Sequence, residues 1–69
     1  MKQIVSLKFR DLEEGCGAFA SVRAGKRVVA LGLSLESGGD VEARLSPVLA
    51  RQLAAALEAA ATQAEALGP

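Results

Sequence analysis

Residues 27–47 read RVVALGLSLESGGDVEARLSP, and the order of elements in the whole chain can be worked out from them. Val29, Leu31, Leu33 and Leu35 recur at every second position, with Val28, Ala30, Gly32 and Ser34 between them. Period two over this length predicts a strand over 27–36 with one aliphatic face and one face of small residues. Small side chains on that second face leave room for a neighbouring group to approach closely. Ser37-Gly38-Gly39-Asp40 has the composition of a hairpin turn. Val41, Ala43 and Leu45 then alternate with Glu42 and Arg44 in a strand over 41–45. Ser46-Pro47 marks a helix start: the serine hydroxyl accepts from a free first-turn amide, and a proline at the first helical position forfeits no bond.

Downstream, the spacing predicts a helix over 47–67, rich in Ala and Leu and stopping at Gly68-Pro69. At 1.5 Å per residue it is about 31 Å long. Leu49, Leu53, Ala56, Leu57, Ala60, Ala64 and Leu67 form one apolar stripe. Arg51, Glu58, Thr62 and Glu65 lie opposite it. Val48, Ala55, Ala59 and Ala66 make a further apolar group, about 120° round from the leucines. Two readings of that group stand: an interface that a second helix approaches closely, or alanine serving only as the best helix former.

Upstream, residues 2–10 (KQIVSLKFR) alternate, with Val5, Leu7 and Phe9 on one face and Ile4, Ser6, Lys8 and Arg10 on the other. Residues 11–17 (DLEEGCG) break the pattern and read as a loop; 18–24 (AFASVRA) form a weaker strand, followed by a tight turn at Ala24-Gly25-Lys26. The expected fold is α+β: a four-stranded antiparallel meander (about 2–10, 18–24, 27–36 and 41–45) and one C-terminal helix (47–67), a single domain over 1–69. The helix should cross one sheet face. The expected core is Val5, Leu7, Phe9, Val29, Leu31, Leu33, Val41, Leu45, Leu49, Leu53, Leu57, Ala60 and Leu67.

Composition narrows function further. A chain of 69 residues buries too little surface to be stable without support from a disulfide, a metal or a partner surface. Cys16 is the one cysteine and histidine is absent, which rules out an internal disulfide and makes a zinc site remote. A second copy of the chain is the simplest support left. No cofactor and no metal are expected. Cys16 has Glu13 and Glu14 as sequence neighbours and no histidine to act as base, so an activated thiol is not expected. Asp11, Glu13 and Glu14 lack the spacing of a calcium loop, and the glycines lack a phosphate-loop signature. No catalytic residues are assigned, and the chain reads as a non-enzyme.

Net charge is zero, with a basic first half and an acidic second half. Lys8, Arg10, Arg23, Lys26 and Arg27 are the candidates for contacting a single-stranded nucleic acid, should the basic strands serve that purpose; the other reading is an ordinary solvated strand face. The first residues show no secretory leader and no run long enough to span a bilayer. With a lone cysteine, a cytoplasmic location without membrane association is expected.

Two resemblances add to this. Residues 45–65, LSPVLARQLAAALEAAATQAE, resemble the C-terminal ends of small uncharacterised bacterial proteins from GC-rich genomes. The order of four strands and a helix, with the short passage at Ala43-Arg44-Leu45-Ser46, resembles the single-stranded-DNA-binding domain of the positive cofactor 4 type of transcriptional coactivator. That resemblance implies a dimer formed through helices and a nucleic-acid surface on the sheet. The leading expectation is an oligomeric interaction or accessory protein, a homodimer in its simplest form, with Val48, Ala55, Ala59 and Ala66 at the interface. The alternative is a single-stranded nucleic-acid binder.

Overall fold

The computed structural model describes residues 1–68. Strands β1 (Lys2–Arg10), β2 (Gly17–Gly25), β3 (Val28–Leu35) and β4 (Asp40–Leu45) precede helix α1 (Pro47–Leu67). The sheet is four-stranded in the order β1-β2-β3-β4, antiparallel throughout. This is the expected α+β meander, with the bounds of β1 and α1 as read from the sequence. The expected stop at Gly68-Pro69 is described only as far as Gly68; Pro69 lies outside the described residues.

Each connection has a local cause. In the β1–β2 loop, the Asp11 carboxylate accepts from the Glu14 amide at 2.6 Å and the Asp11 carbonyl from the Gly15 amide at 2.8 Å. Gly15 takes φ 72°, a conformation that costs glycine little. Between β3 and β4, Gly38 and Gly39 have φ 118° and 99°, which L side chains rarely adopt. At the start of α1, the Ser46 hydroxyl accepts from the Leu49 amide at 3.1 Å, a cap of the kind whose removal costs about 1 kcal/mol.

The structure corrects two local readings. The β2–β3 turn is Lys26-Arg27, because Gly25 still pairs with Val28 inside the ladder. Arg27 carries the positive φ of 61°, while Gly25 serves space: a Cβ there would lie 2.9 Å from Val28 Cγ1. In β1 the register shifts between Gln3, opposite Arg23, and Val5, opposite Val22. Ile4 is therefore the extra residue of a bulge, not a member of the face holding Ser6 and Lys8.

The larger correction concerns the core. The helix does not lie across the sheet. Its backbone comes close only to β3 and β4, none of its residues is buried, and every described residue beyond Ala50 is exposed. Only Ala18 and Ala30 are buried in the described chain. The expected core residues do share one side of the molecule, but Leu7, Phe9, Leu33, Val41, Leu49, Leu53, Leu57, Ala60 and Leu67 are exposed. The physical reason is coverage. A sheet of four strands is about 14 Å wide, and the helix leans over only part of one face before running clear of it.

Candidate interaction surfaces

Strand register sorts the side chains into two unlike faces. Residues directly opposite one another share a face. One face carries the rows Lys2–Ala24–Val29–Leu45, Val5–Val22–Leu31–Ala43, Leu7–Ala20–Leu33–Val41 and Phe9–Ala18–Leu35. It is apolar except for Lys2 at its β1 edge. The other carries Gln3–Arg23–Ala30–Arg44, Ser6–Ser21–Gly32–Glu42 and Lys8–Phe19–Ser34–Asp40.

Helix α1 stands over one end of the apolar face. Val22, Val29, Leu31 and Leu45 from the sheet and Ala50, Leu53, Ala54 and Leu57 from the helix enclose an open groove of about 180 Å³. The far half of the face has no cover. There Phe9, Leu33, Leu35 and Val41 line a second hollow of about 300 Å³ with Asp11, Ser34 and Gly39 at its rim. Leu33 is 46% exposed and Val41 61%.

The whole chain exposes 5572 Å². A folded chain of 7.1 kDa ordinarily exposes about 4,100 Å². The excess is about 1,500 Å² by that scaling, and Leu7, Phe9, Leu33 and Val41 of the sheet face and Leu49, Leu53, Leu57 and Leu67 of the helix are among the exposed apolar side chains. Val48, Ala55, Ala59 and Ala66, the interface group expected from the sequence, are all exposed on the same helix.

The polar face is organised differently. Arg23 and Glu42 form an ion pair that spans β3, with Ala30 and Gly32 the residues of β3 between their strands. The small face of β3 makes room for this pair, and Ala30 is 1% exposed. The pair is solvent-accessible and contributes at most about 1 kcal/mol. Ser34 Oγ donates to the Asp40 carboxylate.

The candidate nucleic-acid residues do not converge. Lys8, Arg10 and Arg23 stand on the polar face, while Lys26 and Arg27 form the β2–β3 turn. Arg10 lies opposite Gly17, at the other end of β2 from Gly25, a separation of about 26 Å along the strand. Arg23 is paired with Glu42, and Arg10 donates to the Gly15 carbonyl. Lys8 lies opposite Phe19, which is 38% exposed. Phe19 is the one aromatic on the polar face, a position legible from its shared parity with Ser21 and Arg23 but not singled out from sequence.

Cys16 is half-buried and free, its Sγ 3.5 Å from Ser37 Oγ. Among the described residues no three His, Cys, Asp or Glu side chains come together as a metal site, and no helix is long and apolar enough to cross a membrane. No family model, no curated protein and no solved structure matches the chain.

Proposed function

We propose that this chain is a homo-oligomeric interaction protein, a homodimer in its simplest form, with no catalytic chemistry or cofactor of its own. One observation carries the reading: the apolar sheet face and the helix leucines lie open, with about 1,500 Å² of surface beyond the norm for a folded chain of this mass. Two such chains have about 3,000 Å² to bury together, which is the size of an obligate homodimer interface. Soluble monomers rarely leave a contiguous apolar face open without a use for it. The interface draws on the leucine stripe and on Val48, Ala55, Ala59 and Ala66, and assembly leaves the two polar sheet faces free to meet other partners. A free cysteine suits a reducing, cytoplasmic setting. Sedimentation equilibrium tests the reading: the expected mass is that of two chains or more.

A second reading has one observation in its favour. Phe19 is exposed on the polar face directly opposite Lys8, and a base stacks on an exposed ring beside a cation. If single-stranded DNA or RNA binds there, affinity falls as salt rises, and each phosphate contact removed lowers the slope by about 0.7. Alanine at Lys8, Arg10, Arg23, Lys26 and Arg27 together is then expected to flatten that slope. Unchanged binding in this variant ends the reading.

A further inference from the structure

We infer that the two copies cover one another reciprocally, the C-terminal half of each helix lying on the uncovered half of the partner's apolar sheet face. This rests on the homodimer reading above and adds its geometry.

The helix divides into two parts by what its own chain offers it. Its first half shares the groove with Val22, Val29, Leu31 and Leu45, and Leu57 is the last helix residue to line that groove. From Glu58 to Leu67 the stripe continues through Ala60, Ala64 and Leu67, yet every residue of this half is exposed, and Leu67 is 86% exposed. That half is about 15 Å long.

The sheet divides in the same way. The rows near Leu45 lie under the chain's own helix, while the rows holding Leu7, Phe9, Leu33 and Val41 lie under nothing. The uncovered part is about 14 Å across the strands, a match for half a helix. Each chain thus has an apolar helix segment without a sheet and an apolar sheet area without a helix, and each is of the size the other needs.

A second copy is the occupant that answers both at once. A two-fold interface is self-complementary: what one chain presents, the other receives. The excess area meets the requirement of an obligate dimer, and zero net charge sets no repulsion between copies. The narrow alanines at 60 and 64 let the helix backbone come close to the hollow lined by Phe9, Leu33, Leu35 and Val41.

Cross-linking between differently marked chains tests this. In a Cys16→Ser background, one chain carries Val41→Cys and the other Ala64→Cys. The two are co-expressed, treated with a short bis-maleimide and resolved by denaturing gel and mass spectrometry, with sedimentation run on the same sample. The expected result is a two-chain species joining positions 41 and 64, much stronger in the mixture than with either variant alone. A two-chain mass in sedimentation with cross-links only between two copies of Ala64→Cys overturns the arrangement in favour of helix against helix. Cross-links only between two copies of Val41→Cys overturn it in favour of sheet against sheet, and a dimer with no cross-link at all overturns it too. A one-chain mass removes the homodimer reading itself.

Discussion

Replacing Leu33 with Asp is expected to dissociate the protein and to unfold most of it. Leu33 is 46% exposed in the single chain, at the centre of the uncovered half of the apolar face. Were the chain a monomer, this would be close to a surface substitution. Its cost would be strand propensity, about 1 kcal/mol or less, with little else added. In the proposed dimer the same side chain becomes buried, and a carboxylate without a partner there costs several kcal/mol. Each 1.4 kcal/mol is about tenfold in the association constant, so the dimer is lost at micromolar concentration. The chain's own core cannot sustain the fold afterwards, since only Ala18 and Ala30 are buried in the described chain. Denaturant melts and sedimentation of Leu33→Asp read both effects. Ser6→Asp is the control: Ser6 is exposed on the polar face of the same sheet, and its variant is expected to keep the wild-type mass. Wild-type mass and stability for Leu33→Asp would contradict the assignment of the apolar face.

Replacing Ala59 with Glu probes the helix in the same way. Ala and Glu differ by only a few tenths of a kcal/mol in helix propensity, and Ala59 is exposed in the single chain. On a solvated helix the change therefore alters stability by about 0.5 kcal/mol or less. At an interface it adds volume where backbones approach closely, at about 1–3 kcal/mol, and a charge that must lose water. The expected outcome is a dimer dissociation constant raised by about 10- to 100-fold or more, read by light scattering over a dilution series. An unchanged constant would remove Val48, Ala55, Ala59 and Ala66 from the interface and leave the leucine stripe and the sheet face to carry it.

Much of this architecture is legible in the residues. Ser46-Pro47 and the Ala- and Leu-rich run that follows mark α1 because cap chemistry and helix propensity are local. The alternation of Val29, Leu31, Leu33 and Leu35 marks β3, and the paired glycines mark the turn after it, for the same reason. Three features were not legible. A leucine stripe has one pattern whether it meets its own sheet or another chain's, so nothing in residues 49–67 says that the helix stands clear. The bulge at Ile4 changes no residue type in its own strand; its one trace is an apolar residue where strict alternation would put a polar one. Gly25 reads as a turn residue by composition, but its small size matters for packing against Val28 and Met1, and Arg27 takes the left-handed position instead. The candidate surfaces follow the same division. Parity separates the apolar from the polar face in β3, β4 and β1 beyond its bulge, and the register of β2 then adds Ala20 and Val22 to the apolar side and Phe19 to the polar side. Which of these faces is covered depends on the third dimension, and sequence periodicity does not hold it.

In the proposed dimer each chain completes its core with a second copy. Sedimentation equilibrium of the unmodified protein, from low micromolar to several hundred micromolar, measures it most directly. The expected mass is at least two 7.1 kDa chains across the range, with dissociation only where dilution also unfolds the protein. A folded single-chain mass at the highest concentration would contradict it.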